Sequence, residues 1–379
     1  MLRIAHISDV VDGRANSGTA RVASELIKTM SKIVDVHQTL IHYQKSNEDI
    51  YRIKGIQEIV IPLKNFPFIK HFLSFISYWI KILIFSRNFK KYDLVIWHSS
   101  RVYPFFFMIP SRYVFINLHD ANARIIKENT IWTHFFYWNL RLSVYFVDVI
   151  FGVSQDACNK LITIGKFPKS KIKCLYPGSN FNNLKSIAPT NLKAKSKFFL
   201  CVSRWQTFKN VENLIRGYRL ALSNNTYLPK LVLVGKDYHE GKSPVRDLIY
   251  SLELTDNVII LQDLKDEELA FLFDHAIVNV NPSLHEGFGL SVLEGIKRGC
   301  PSLDHKFTST SEISGAAGMH IDMTSISEIS NALIQINNDP KILKVLRNQT
   351  QDIANKFTWE NTVRNLITIF EERSKSNQC

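Results

Sequence analysis

Four short runs in the second half of the chain restrict the fold more than anything else in it: "FFLCVS" (198–203), "KLVLVG" (230–235), "NVIIL" (257–261) and "IVNVNPS" (277–283). Each is almost continuously apolar and rich in β-branched or aromatic residues, so as a strand it has no polar face to offer water. The first three are followed by stretches of helical period: "NVENLIRGYRLAL", "PVRDLIYSLEL" and "DEELAFLFDHA". Strands buried on both faces and alternating with amphipathic helices form parallel β-α-β units. The first half has the same grammar. "LRIAHIS" precedes "GTARVASELIKTMSKI", "DLVIWH" (93–98) and "YVFINLH" (113–119) follow, and "DVIFGVS" (148–154) precedes "QDACNKLITI". With 379 residues the chain is too long for one ordinary core. The expectation is α/β: two doubly wound, Rossmann-like halves. Their break falls near "KCLYPGSNFNNLKSIAPTNLKAKSK" (173–197), whose Pro, Gly, Ser, Asn and Lys content is that of a linker.

Charge narrows the partners. Lys and Arg total 47 against 34 Asp and Glu, a formal net charge of +13. Such a balance suits an anionic partner: nucleic acid, an acidic membrane surface or a phosphorylated substrate. No helix-turn-helix, zinc-finger or RNP-like pattern is present, so nucleic acid is not expected. The five cysteines are scattered without metal-like spacing, as reduced thiols in a cytoplasmic protein would be. The apolar stretch of "MLRIAHISDV" is too short for a signal peptide and reads as a first strand. "NFPFIKHFLSFISYWIKILIFSRNFKKY" (65–92) is apolar and aromatic but interrupted by Lys70, His71, Lys81 and Arg87. Those charges exclude a spanning helix. They leave two readings open, a helix lying in a membrane interface and a helix covering the core.

Ligands of doubly wound sheets bind at the carboxyl ends of the strands, and the candidate residues fall there. "SDVVDGRANSGTARV" ends at a helix start, where Gly18 permits close backbone approach to an anion. "VSRWQTFKN" (202–210) offers Arg204 and Lys209, an arginine fork and a lysine point charge that together suit a diphosphate. "NPSLHEGFGLSVLEGIKRGCP" (281–301) is the most specific stretch. It reads as a strand end, a glycine-bracketed turn carrying Glu286, and a helix carrying Glu294 and closed by Gly299 and Pro301. Carboxylates accept hydrogen bonds from vicinal hydroxyls, so this pair can grip the two sugar rings of one nucleotide sugar. Gly287 and Gly289 leave backbone N–H groups open to its phosphates.

This stretch resembles the Glu-seven-residues-Glu signature of glycosyltransferase family 4, retaining enzymes of the GT-B fold. The resemblance extends to "SGTARV", "VSRWQTFKN", "LVLVGK", "NVIILQDLKDEEL" and "TSEISGAAG", and "FTWENTVRNLITIF" (357–370) is similar to the family's final helix. It implies a GT-B fold, two Rossmann-like domains facing across a cleft. Residues 1–178 would form an acceptor domain, 179–356 a nucleotide-sugar domain, and 357–379 a helix returning to the first. It further implies that Glu286 holds the transferred sugar and Glu294 the ribose. Arg204 and Lys209 would neutralise the diphosphate, helped by Gly18 and by backbone amides of Gly287, Phe288, Gly289 and Leu290. His119, in "INLHDAN", matches the family histidine near the sugar and the reacting bond. The chain departs from the family at Ser17, Ser203, Ser291 and Gly295, none of them a charged position.

By this resemblance the reaction is front-face transfer, with the departing phosphate taking the acceptor's proton. No D-x-D motif occurs, so no metal is expected, and the two cations would take its place. The pattern is nearest to bacterial surface-polysaccharide mannosyltransferases. GDP-mannose is the first donor considered and a UDP-hexose the alternative. The acceptor implied is a polyprenyl-diphosphate-linked saccharide at the inner leaflet, reached by a cytoplasmic, peripherally bound enzyme in O-antigen, capsule or lipopolysaccharide assembly. The rivals are a nucleotide-sugar epimerase or phosphorylase on the same fold and a non-catalytic, membrane-associated nucleotide-sugar-binding protein.

Overall fold

The apolar runs become the strands of two parallel sheets in the computed structural model. The structure describes residues 1–7, 18–42, 56–60, 80, 91–98, 109–119, 138, 140–190, 192, 197–224, 227–236 and 243–376. The chain divides into two units, Met1–Gly178 with Trp359–Cys379, and Ser179–Thr358.

In the first unit the elements are β1 (Leu2–Ile7), α1 (Gly18–Ile33), β2 (Val36–His42), β3 (Ile56–Val60), β4 (Tyr92–Trp97), β5 (Ser111–His119), β6 (Val149–Gly152), α2 (Gln155–Thr163) and β7 (Ile172–Cys174). The strands lie in the order β3-β2-β1-β4-β5-β6-β7. All neighbours are parallel. Side chains alternate along a strand, and β4 shows it. Leu94 and Ile96 join an apolar cluster with Ile4, Phe115 and Phe151, whereas Val95 and Trp97 join Ile7, Ile116 and Ile150. Each face of the sheet therefore has its own core. The first cluster also takes Leu26 and Met30 of α1. It takes Val363 and Leu366 of the C-terminal helix, Trp359–Ser376, as well. That helix is tied down where Thr362 Oγ1 donates to the Tyr176 carbonyl at 2.7 Å and the Phe370 ring meets Tyr113 edge-on at 5.6 Å.

The second unit runs β8 (Phe198–Val202), α3 (Val211–Asn224), β9 (Leu231–Val234), α4 (Pro244–Ser251), β10 (Val258–Leu261), α5 (Asp266–His275), β11 (Ala276–Asn281), α6 (Leu290–Lys297), β12 (Ser302–His305), α7 (Ser309–Ser314), β13 (Gly318–Ile321), α8 (Ile326–Asn338) and α9 (Pro340–Lys356). The helix Trp359–Ser376 is then α10. The strand order is β10-β9-β8-β11-β12-β13, again parallel throughout. Phe199 and Cys201 face one core, Phe198 and Leu200 the other. The order reverses between β8 and β11, which are hydrogen-bonded neighbours. The loops that leave their carboxyl ends are consequently adjacent, at the switch point where such sheets bind ligands.

The stretch 173–197 is less of a linker than its composition predicts. Cys174 ends β7, and Phe181 is buried with its ring edge-on to Phe273 at 5.9 Å. Arg298 pairs with Asp274 and donates to the carbonyls of Phe181, Asn182 and Leu184. An aromatic anchor and an arginine hold this segment, and Leu175 and Ser179 are buried in it as well. The membrane-interface expectation for 65–92 falls outside the described residues except for Ile80, Lys91 and Tyr92. Among the described residues no helix is long and apolar enough to cross a membrane.

The first unit buries a polar chain in its sheet. His6 lies 3.0 Å from His98 Nε2 through Nδ1 and 2.8 Å from Gln38 Oε1 through Nε2. Gln38 Nε2 donates to the Ile27 carbonyl and Ser31 Oγ, so its Oε1 must accept from His6 Nε2–H. His6 Nδ1 then accepts from His98, and the ring is neutral. Burial lowers the His6 pKa from 6.5 to about 4. Because the folded value is depressed, the unfolded chain binds more protons between these limits, and stability falls as pH drops from 6.5 towards 4. We expect urea unfolding to lose up to about 3 kcal/mol over that interval. His6→Asn is expected to lack this part of the pH slope.

Candidate functional site

The site is built on the loops after β8 and β11. The first runs from Ser203 to Asn210, and its path is fixed by backbone bonds to the loop after β9: Ser203 N–H donates to the Val234 carbonyl and Trp205 N–H to that of Lys236. Gly235 is required there, since a Cβ would stand 1.9 Å from the Ser203 carbonyl oxygen. Arg204 projects from this loop as an exposed side chain, and Lys209 ends the 3-10 turn Thr207–Lys209 that leads into α3.

The second loop, 282–289, crosses beside the first. Leu284 N–H donates to the Phe208 carbonyl at 2.9 Å, a main-chain bond joining the two loops one residue from Lys209 and two from Glu286. Lys209 Nζ then meets Glu286 Oε1 at 2.6 Å, with 16% and 18% of the two side chains exposed. Ser309 Oγ, at the start of α7, holds the Glu286 carbonyl at 3.1 Å. Glu286 is thereby fixed from its main chain and its carboxylate alike. A pair this sheltered from solvent attracts strongly, and removal of either partner strands a charge.

Beyond Glu286 the chain buries Gly287, Phe288 and Gly289 and enters α6. Gly289 is the N-cap, at φ 96°, and a Cβ there would stand 2.8 Å from Thr310 Cγ2. The first N–H groups of a helix have no intrahelical acceptor and attract anions. Leu290 opens the helix, and Glu294, one turn further, is 5% exposed among buried Val292, Leu293 and Ile296. The structure thus brings Lys209, Glu286, Gly287, Phe288, Gly289, Leu290 and Glu294 into one loop-and-helix assembly, with Arg204 earlier on the loop that carries Lys209. Gly18 and His119 belong to the first unit, where Gly18 opens α1 and His119 ends β5. Among the described residues no group of three or more His, Cys, Asp or Glu side chains is placed to hold a metal ion.

Several supporting residues escaped the sequence reading. Asn279 Nδ2 donates to the Ser291 carbonyl at 2.9 Å and Asn281 Nδ2 lies 3.4 Å from Ser291 Oγ, clamping the first turn of α6 onto β11. Their signal was present: two asparagines at alternate positions of an otherwise apolar buried strand. Asp304, at 0% exposure near the end of β12, accepts from Ser314 Oγ at 2.7 Å and faces His320 Nδ1 at 2.7 Å. His320 Nε2 faces the Gly315 carbonyl, so both ring nitrogens meet acceptors, and the hydrogen bond to Asp304 raises its pKa. This cluster anchors α7, and so Ser309.

Fold and site together define a two-unit α/β protein whose second unit offers an anion-attracting helix start beside a lysine-carboxylate pair. Residues 183–353, within the second unit, match the family model of glycosyl transferases group 1. The chain is 25% identical over 256 residues to the serotype-specific mannosyltransferase WbdA of Escherichia coli, covering 64% of this chain and 31% of that protein. It thus spans about a third of that relative's length. The O-antigen chain mannosyltransferase RfbU of Salmonella typhimurium is 20% identical over 341 residues, covering 86% of this chain and 92% of RfbU. Among solved structures, the sucrose-phosphate synthase of Thermosynechococcus elongatus superposes with a TM-score of 0.78 at 16% identity, over 99% of this chain and all of that one. The fold is GT-B, as the resemblance implied.

Two glycine substitutions separate conformation from contact. Gly299 has φ 74° with open space around it, whereas Gly289 has positive φ and Thr310 against it. Gly299→Ala is expected to cost about 1–2 kcal/mol for the left-handed backbone alone. Gly289→Ala should cost roughly 1–3 kcal/mol more for the forced contact. Urea unfolding of the two variants measures the difference.

Proposed function

We propose that the chain is a retaining, metal-independent glycosyltransferase that moves a hexosyl unit from a nucleotide sugar, GDP-mannose first, onto a saccharide in bacterial surface-polysaccharide assembly. The observation that carries this reading is the Lys209–Glu286 pair at the sheet's switch point, beside the start of α6. In the unliganded protein each group neutralises the other. When a donor enters, its diphosphate draws Lys209 and Arg204, and the freed Glu286 carboxylate accepts hydrogen bonds from the sugar hydroxyls. The N–H groups around Gly289 and Leu290 add to the field on the phosphates. As the bond to the anomeric carbon lengthens, negative charge grows on the diphosphate, and these fixed positive groups stabilise it more than they stabilise the ground state. The leaving phosphate oxygen takes the acceptor's proton. Glu294 is assigned to the ribose; for it, and for His119 and Gly18, the support is the family resemblance.

WbdA and RfbU, both mannosyltransferases by name, support mannose as the sugar. The net charge of +13 supports an anionic acceptor, a polyprenyl-diphosphate-linked saccharide met at the inner leaflet of the cytoplasmic membrane.

A thermal-shift panel of GDP- and UDP-sugars tests the donor, since a ligand of the folded state raises the melting temperature by mass action. GDP-mannose is expected to give the largest rise, and a larger rise with a UDP-hexose would reassign the base. With labelled donor and membrane acceptor, Glu286→Ala and Arg204→Ala should each lower kcat/KM by roughly 100-fold or more. Transfer is expected to survive EDTA and to retain anomeric configuration. Epimerised free nucleotide sugar with an unlabelled acceptor would identify an isomerase instead, and donor binding without turnover a non-catalytic binder.

A further inference from the structure

Between Lys209 and α3 stands Asn210, in the left-handed conformation at φ 58° and ψ 26° and only 9% exposed. Its side-chain amide spends both hydrogens on main chain, one on the Pro282 carbonyl at 3.2 Å and one on the Met323 carbonyl at 2.8 Å. Pro282 begins the loop that carries Glu286. Met323 follows β13, and its own N–H donates to His305 Nδ1 at 3.1 Å, at the end of β12. One amide thus gathers the chain segments leaving β8, β11 and β13, and through Met323 it reaches the end of β12 as well.

The residue type fits this task closely. Left-handed backbone admits glycine, asparagine and aspartate with least strain. Glycine has no side chain to bridge the loops. Aspartate would turn a carboxylate towards two carbonyl oxygens. Asparagine alone of the three supplies two N–H groups to two acceptors.

We propose that Asn210 is a positioning residue, holding the Lys209 loop and the Glu286 loop in one register so that the cation and the carboxylate act on the same donor. This rests on the reading of the site as a nucleotide-sugar site. With both amide hydrogens committed to main-chain carbonyls, Asn210 acts through Lys209 and Glu286.

Hydrogen exchange followed by mass spectrometry, on the full chain, tests the register without recourse to activity. Asn210→Gly keeps the backbone conformation and removes both bonds. The Leu284 amide, bonded to the Phe208 carbonyl, should then exchange about tenfold or more faster, because the two bonds that hold its loop are gone. Amides of β8 and β9 should keep their protection. Kinetically, kcat should fall on the order of 10- to 100-fold, with KM for the donor changing less, because misalignment of preset groups costs the transition state most. Asn210→Asp should not restore either property. Unchanged exchange at Leu284, or faster exchange spread over the whole second unit, would overturn the proposal, as would wild-type kcat and KM in Asn210→Gly. Should the wild-type chain turn over no nucleotide sugar, the glycosyltransferase reading fails, and the exchange comparison still decides whether Asn210 sets the loops.

Discussion

The pairing of β8 with β11 is the constraint on which the second unit depends. Neither strand follows the other in sequence; β9 and β10 and their helices intervene before the chain crosses back. That crossing sends two loops out of the sheet side by side, one with Arg204 and Lys209, the other with Glu286. Burial holds the strands together, since both are covered on two faces by apolar clusters. The ion pair between Lys209 and Glu286 is a consequence of this arrangement and contributes little to its cause. Two partly sheltered charges could not gather the loops against the cost of desolvation. The sheet brings them within reach, and the Leu284–Phe208 bond, Asn210 and Ser309 settle the remaining ångströms.

Much of this was legible in the residues. The β8, β9, β10 and β11 runs announce themselves because a parallel strand has no polar face, so its sequence is apolar almost throughout. Helix α1 was equally plain from its period. Strands β2 and β3 were not singled out. β2 reads "VHQTLIH", with polar residues at several positions, and Gln38 and Thr39 are nonetheless buried. The buried Gln38 is explained by His6, a partner 32 residues away, and no local pattern reveals such a pairing.

The site divides in the same way. Glu286, Gly287 and Gly289 were conspicuous because a charged residue followed by two closely spaced glycines just past a strand end has few structural uses. Gly235 and Asn210 were not, because what they do depends on neighbours brought near by the fold. Gly235 is explained by a carbonyl 32 positions earlier, and Asn210 by carbonyls 72 and 113 positions later. Sequence displays groups that will meet a ligand more readily than groups that hold those groups still. The burial of Phe181 within a linker-like stretch has the same origin.

The bond from Leu284 N–H to the Phe208 carbonyl lies wholly in the main chain, so side-chain variation at either position leaves it in place; only proline at 284 would delete its donor. Side chains along the two loops can therefore change what they present to a ligand while this one link between the loops keeps both its donor and its acceptor. The crossing of the loops is thus held partly by groups every residue but proline carries, and partly by the particular side chains of Asn210 and Ser309.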